Sequence, residues 1–327
     1  MALNWWALMS DHKIVLMSGT TVPKLAGSIA EMLNLELLDP GLVRFANGEI
    51  YCELENTVRG CDVYIIQSLK TPVNDSLMEL LIMIDAVKRS SAASITAVMP
   101  HYGYSRQDRM NRPRTPITAK LVADMLTVAG ATRVITMDLH AGQIQGFFDI
   151  PFDNIYASPV ILKYIRESLF KENSICVSPD SGGIERVRHY AKKLGCDIGM
   201  IDKRRVAKNV AQAMNVIGNI KGKECILIDD IVDTAGSLVE AVHSLMDAGA
   251  TKVVACMTHP ILSHPALERI EDCKELEQVV VTDTIPLTDA AKKVSKIKIV
   301  SVASILSQAI HRTYTNQPLS CLFIETE

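Results

Sequence analysis

Apolar residues along this chain alternate between two rhythms. Short runs, in which nearly every position is apolar or β-branched, predict strands at residues 13–17, 62–67, 94–99 and 133–137. Between them lie longer segments with helical spacing, which predict helices over 24–32, 76–88 and 119–129. The second of these closes on Lys88-Arg89, cations placed where a helix C-terminus favours them. Pro, Asp and Asn cluster at residues 151–159, and the rhythm then restarts. Helices are expected at 159–169 and 183–194, and strands at 174–178, 198–201, 223–228, 251–257 and 276–281. Alternating strand and helix predicts an α/β fold, with mostly parallel sheets flanked by helices on both faces. The halves are similar in size and rhythm, as two copies of one plan would be, although no sequence repeat links them.

Composition narrows the chemistry. The 327 residues leave room for two domains, and 48% hydrophobic with 22% charged content suits packed cores. A formal charge of −3 argues against a nucleic-acid duplex as the main partner, because such binding rests on many basic contacts. Local clusters of Arg and Lys still permit small anions. The eight cysteines are scattered without a CxxC pair and read as small hydrophobes in a reducing, cytoplasmic setting. The opening Met1 to Met9 is apolar but lacks the basic flank of a signal peptide, and no later stretch approaches a membrane span. Residues 1–10 are expected to be an extension, either a contact surface or a disordered tail.

The most informative stretch runs from Cys225 to Ser237. An apolar run reaches the acid pair Asp229-Asp230. Asp233-Thr234-Ala235-Gly236-Ser237 then forms a small-residue turn into a helical pattern. Backbone N–H groups at such a turn can converge on one phosphate, Thr234 and Ser237 can add hydroxyl donors, and Gly236 permits close approach. The acids are placed to take sugar hydroxyls or a metal. These features point to a phosphorylated sugar, although a plain strand end with a capped helix shares the same composition. No GxxxxGK[ST] run occurs, so a P-loop is excluded.

This segment resembles the phosphoribosyl-diphosphate signature shared by phosphoribosyltransferases and ribose-phosphate diphosphokinases. The run Asp138-Leu139-His140-Ala141-Gly142-Gln143-Ile144-Gln145-Gly146-Phe147-Phe148 and the run Tyr104-Ser105-Arg106-Gln107-Asp108-Arg109 resemble the diphosphokinases alone. That resemblance extends from about Asp11 to Phe323. It implies two similar domains of phosphoribosyltransferase-type fold. An N-terminal domain (11–155) would hold part of an ATP site, and a C-terminal domain (156–301) a ribose 5-phosphate site. A final segment (302–327) would return to the first domain. The implied reaction is Mg²⁺-dependent transfer of the β,γ-diphosphoryl group of ATP to ribose 5-phosphate.

Site residues follow from the same resemblance. Asp229, Asp230, Asp233, Thr234, Ala235, Gly236 and Ser237 would bind ribose 5-phosphate. Position 237 is more often Thr in the family, but Ser keeps the hydroxyl. Phe45, Asn47, Gly48, Glu49, Arg106 and Gln107 would bind ATP, with Phe45 stacking on adenine. Many family members carry Asp at position 47, where Asn can both accept and donate. Lys203 and Arg205, from the basic stretch 202–208, would reach over the transferring phosphates, with Arg205 also touching the sugar. Arg186 and Arg188 would add positive charge at or near the site. His140 and Asp180 would be the protein ligands of Mg²⁺, which keeps waters and phosphate oxygens as its other ligands. Taken alone, His140 reads as a loop histidine paired with a backbone carbonyl, and Asp180 as a helix cap. The resemblance further implies a homo-oligomer, a hexamer in the common class, with phosphate and ADP as allosteric ligands. A non-catalytic regulatory homologue and a phosphoribosyltransferase remain the alternatives. Intact Lys203, Arg205, His140 and Asp180 weigh against the first, and the nucleotide pieces against the second.

Overall fold

The computed structural model describes residues 12–204 and 213–322. Its contacts group residues 12–136, 141–155 and 306–321 into one compact unit, and 137–140, 156–305 and Leu322 into a second.

In the first unit the elements run β1 (Ile14–Ser18), α1 (Pro23–Leu33), β2 (Leu37–Leu38), β3 (Leu42–Arg44), β4 (Ile50–Cys52), β5 (Asp62–Ile66), α2 (Val73–Arg89), β6 (Ser94–Met99), α3 (Thr118–Ala129), β7 (Arg133–Met137) and β8 (Phe152–Ile155). The main sheet has the order β2-β1-β5-β6-β7-β8, and the register from β2 through β7 is parallel. Strands β3 and β4 form a separate antiparallel hairpin. Helix α1 begins with a proline in its first turn and ends at Asn34 in the left-handed conformation, a start and stop written into the local sequence.

The second unit holds α4 (Ser158–Ser168), β9 (Ser174–Ser178), α5 (Ile184–Leu194), β10 (Asp197–Arg204), β11 (Ala213–Ile217), β12 (Glu224–Val232), α6 (Gly236–Asp247), β13 (Lys252–Pro260), α7 (Ala266–Asp272), β14 (Leu276–Thr282), α8 (Asp289–Lys293) and β15 (Ile297–Val300). Its sheet order is β11-β10-β9-β12-β13-β14-β15, parallel except for the β10–β11 pair. Helix α6 buries Leu238, Ala241, Val242 and Leu245, an i, i+3, i+4, i+7 stripe that packs into the sheet's core. Burying one such leucine contributes about 1.5–3 kcal/mol. A last helix, α9 (Ala303–Tyr314), follows β15. In the first unit its Tyr314 hydroxyl donates to the His12 carbonyl at 2.9 Å, and Ser307 Oγ meets Met32 Sδ at 3.6 Å.

Each half is thus a mostly parallel sheet flanked by helices, as the alternation predicts. Three strand ends differ from the sequence reading, and one of them is that of β13, which runs to Pro260 and not Met257. Strand β12 does not stop at Ile228. Pairing with β13 continues through Asp229 opposite Met257 to Val232 opposite Pro260, so the acid pair lies inside a strand. Strand β10 runs on to Arg204 because β11, which the sequence did not suggest, pairs with it antiparallel. The hairpin β3–β4, β8 and β15 were equally unanticipated. They are three or four residues long, too short for a periodicity to register.

Candidate active site

Strand β12 lies between β9 and β13, so its carboxyl end opens in the middle of the second sheet, where open α/β sheets place their ligands. There Asp230 is 4% exposed, and each of its carboxylate oxygens has a partner. His140 Nδ1 lies 2.8 Å from Asp230 Oδ2, and Arg186 Nη1 donates to Asp230 Oδ1 at 3.1 Å. The same guanidinium nitrogen donates to Asp229 Oδ1, also at 3.1 Å. Burial works against charge on Asp230, but the His140 bond and the Arg186 guanidinium overcome it and hold this carboxyl far below the usual carboxylate range. Asp229 goes the other way: burial first, then the Asp230 charge beside it, push its carboxyl up. Two adjacent carboxylates around one guanidinium titrate as a pair, and Asp230 keeps the charge.

In the turn after β12 the left-handed residue is Ala235, at φ 56°. Holding an alanine there costs about 1 kcal/mol. A Cβ at Gly236 would stand 3.1 Å from Arg269 Nη1, so a larger residue there would make the end of that side chain shift by a few tenths of an ångström. That guanidinium, from α7, donates to the Thr234 carbonyl at 2.9 Å and so braces the turn. No side chain caps α6, so its first-turn N–H groups have no side-chain acceptor at the N-cap. An uncapped helix start beside small residues suits an oxyanion of a phosphate. Thr234 and Ser237 are exposed, and Asp233 is half-buried.

His140 is not paired with a backbone carbonyl. Since Asp230 stays ionised and can only accept, His140 Nδ1 carries the proton, which leaves the lone pair of the neutral ring on Nε2. A carboxylate behind a histidine is the usual support of a metal-ligating imidazole. Asp180 does not cap α5, whose N-cap Gly183 has no side-chain cap bond; its Oδ1 accepts the N–H groups of Gly182 and Gly183 at 2.8 and 3.0 Å in the turn before that helix. Both bonds fall on one oxygen and leave Oδ2 for a cation. An imidazole and one carboxylate oxygen fit a Mg²⁺ ion that keeps several waters.

The sequence did not single out Asp138 as a site residue. Its Oδ2 accepts Ala157 N–H at 3.0 Å and Thr258 Oγ1 at 2.7 Å, and burial pushes its carboxyl up. Buried His259 bonds the Met137 carbonyl through Nε2 and Thr284 Oγ1 through Nδ1, and burial pushes its imidazole down to about 4. These two groups fix the segment that presents His140.

In the first unit the expected nucleotide residues occupy two neighbouring loops. Phe45, Asn47, Gly48 and Glu49 form the tip of the β3–β4 hairpin. Phe45 N–H donates to the Glu49 carbonyl, Glu49 N–H to Asn47 Oδ1 at 3.1 Å, and Gly48 takes φ 92°. Asn47 therefore uses its acceptor within the turn, the part of Asp chemistry that an amide retains. Phe45 is 49% exposed and stacks against Tyr51 with centroids 5.7 Å apart. Tyr51 extends this aromatic surface, and no sequence signal marked it. Arg106 and Gln107 are exposed, with Thr118 Oγ1 donating to Gln107 Oε1 at 2.6 Å. Both loops are tied to the first turn of α2, through Arg44 to Asp75 at 3.1 Å and through Tyr104 to Asn74.

Lys203 lies in β10 opposite Met214 of β11, and its side chain lies outside the described residues. Arg205 falls outside them altogether. Arg188 pairs with Glu185 on the exposed face of α5. Arg186 is instead the ion-pair centre of the acid cluster, a role that no local signal distinguishes from that of its neighbour.

Comparison with known proteins agrees with this architecture. Residues 14–130 match the family described as the N-terminal domain of ribose phosphate pyrophosphokinase, and residues 202–324 match the phosphoribosyl synthetase-associated domain. A ribose-phosphate pyrophosphokinase of Caldanaerobacter subterraneus is 50% identical over 95% of this chain and 98% of its own length. That of Wolinella succinogenes is 51% identical over 97% of this chain and its own full length. The crystal structure of phosphoribosylpyrophosphate synthetase from Mycobacterium smegmatis superposes with a TM-score of 0.88 at 41% identity, covering 93% of this chain and 99% of that one. A two-domain phosphoribosyl synthetase architecture is thus shared along nearly the whole chain. The chain belongs to the ribose-phosphate pyrophosphokinase family.

Proposed function

We infer how this chain's residues divide the family's reaction, transfer of the β,γ-diphosphoryl group of ATP to the C1 hydroxyl of ribose 5-phosphate. The products are 5-phospho-α-D-ribose 1-diphosphate and AMP. The observation that carries the assignment is the His140–Asp230–Arg186–Asp229 cluster at the end of β12, beside the uncapped start of α6. Residues 233–237 hold the 5-phosphate. Asp229, the more exposed acid, takes the ribose hydroxyls. Asp230 already bonds through both oxygens, so its contribution passes through His140 and Arg186. Phe45, Asn47, Gly48, Glu49, Arg106 and Gln107 bind ATP from the first domain (11–155), the ribose site being in the second (156–301).

The C1 hydroxyl oxygen forms a bond to the β-phosphorus as the α–β bridge breaks; the bridging oxygen leaves with AMP, and the hydroxyl proton passes to solvent. Charge spreads over phosphoryl oxygens, so alignment and cations supply most of the acceleration. Mg²⁺, held through His140 and Asp180, would neutralise phosphate charge. Lys203 and Arg205 add cations where charge develops. The deciding assay follows AMP release from ATP with no nucleobase present. AMP formation that depends on ribose 5-phosphate is expected. Equal, slow AMP release with and without the sugar overturns the reading.

His140→Ala is expected to raise the Mg²⁺ needed for half-maximal rate at fixed pH and saturating ATP. The bond to Asp230 raises the His140 pKa above its ordinary 6.5. The group is therefore protonated, and unfit as a ligand, below a pH higher than the unperturbed value implies. Since Mg²⁺ competes with the proton, more Mg²⁺ moves the acid limb of the activity profile to lower pH. Superimposable Mg²⁺ titrations of wild type and variant refute the ligand role.

The assembly is read as a homohexamer with phosphate and ADP as regulators, a property carried by the family resemblance. Helix α3 supports self-association, since Leu121 and Val128 are 54% and 78% exposed. Light scattering at assay concentration reads the stoichiometry directly. Among the described residues no helix is long and apolar enough to cross a membrane.

A further inference from the structure

A second group of metal-ligating side chains lies away from the acid cluster. His243 sits on α6, seven residues beyond Gly236. Cys273 follows the end of α7, and Glu275 immediately precedes β14. Glu275 Oε2 is the common point, 3.8 Å from His243 Nε2 and 3.8 Å from Cys273 Sγ. All three donor atoms lie within 4.8 Å of one another. In a tetrahedral zinc site, bond lengths of about 2.0–2.3 Å put donor atoms roughly 3.4 Å apart. Small side-chain rotations close that gap, and the imidazole and carboxylate, 55% and 43% exposed, are free to make them.

The less mobile ligand is already held. Cys273 is 4% exposed, and its turn is tied down by Lys296, whose Nζ donates to the carbonyls of Ile270, Glu271 and Cys273 at 3.0, 3.1 and 2.6 Å. Cys273 also accepts the Leu276 N–H on its carbonyl and gives its own N–H to Arg269. The sulfur is thus fixed by backbone, and the two ligands that must adjust are on the surface.

We propose that His243, Cys273 and Glu275 form a site for a thiophilic divalent metal ion, zinc by the chemistry of its donors, that ties α6 to the α7–β14 turn. A thiolate with an imidazole selects zinc over Mg²⁺ or Ca²⁺, which take oxygen ligands. On binding, the Cys273 thiol releases its proton and the sulfur lone pair forms the metal bond. His243 Nε2 and Glu275 Oε2 add their lone pairs, and water takes the fourth position. No electron transfer is involved. Burial pushes the Cys273 thiol up, an effect that the Leu276 N–H and the Lys296 ammonium only partly offset. A bound metal displaces that proton.

The test titrates the full chain with Co²⁺ in excess Mg²⁺, so that sites built for hard cations are filled. One equivalent of Co²⁺ is expected to produce near-ultraviolet thiolate-to-cobalt absorption, and Zn²⁺ to abolish it by displacement. Cys273→Ser should remove the band. His243→Ala, a change at an exposed position, should keep the fold and weaken binding by about 10-fold or more. A missing band at one equivalent overturns the site, as does a band that survives in Cys273→Ser. An affinity of His243→Ala within about two-fold of wild type removes His243 from the ligand set and overturns the three-ligand proposal.

Discussion

Replacing Lys203 with Ala is expected to lower turnover by about 10²-fold or more, the usual effect of deleting a donor aimed at transition-state charge. Affinity for ribose 5-phosphate should change little. The difference arises because this charge is needed late, on phosphoryl oxygens whose negative charge is redistributing, and a group used only then raises turnover without tightening the ground state. The backbone at Lys203 is anchored by antiparallel pairing with Met214, at the point where β10 ends and residues 205–212 begin. Turnover at saturating substrates, with sugar binding measured by calorimetry, separates the two effects. An unchanged turnover number sinks the role, and an equal loss of binding and turnover points to a folding defect. Arg205→Ala should behave alike, with a larger loss of sugar affinity if its guanidinium also touches ribose 5-phosphate.

Arg186→Met should destabilise the second unit by about 3 kcal/mol near neutral pH, because it leaves charge in a buried carboxylate pair without its counterion. The side chain is 22% exposed, and Asp230 only 4%. The pH dependence has a definite sign. In the wild type the Asp230 pKa lies below its unfolded value, so its contribution to stability is present above about pH 4 and is lost as pH falls through the folded pKa. Without Arg186 that pKa rises, and protonation relieves the strain. The deficit of the variant should therefore be largest near pH 7.5 and shrink toward pH 5 in urea melts. A deficit independent of pH would mean that lost packing, and not charge, is responsible. Adding Asp229→Asn should change this deficit little, since burial and the Asp230 charge already push the Asp229 carboxyl up and Asp230 keeps the charge. The Mg²⁺ requirement should also rise, because Arg186 and His140 share the Asp230 carboxylate.

Legibility in the sequence follows the range of the interactions. The strand–turn–helix at β12 and α6 was readable because its parts are contiguous: an apolar run, small residues and a stripe at helical spacing. The same holds for β1, β6, β7 and β9, whose buried runs match the predicted strands closely. Two details inside readable segments were not. The acids belong to β12 only because β13 continues to pair with it, and the turn's Thr234 carbonyl is braced by Arg269, which comes from α7.

By itself the sequence determined the alternating α/β plan, the two similar halves, the small-residue turn between β12 and α6 and the residue types from which a site can be built. Each of these rests on residues within one turn or one strand of each other, where steric preference and hydrophobic period act directly. Tertiary structure alone decided which side chains meet. His140 reaches Asp230 across 90 residues, and Arg186 reaches it across 44. Those contacts turn a loop histidine into a metal-ligand candidate, separate the roles of two adjacent acids, and distinguish Arg186 from Arg188. Protonation and charge at such a site depend on burial and on partners brought together by the sheet, and neither is a property of a local stretch of chain.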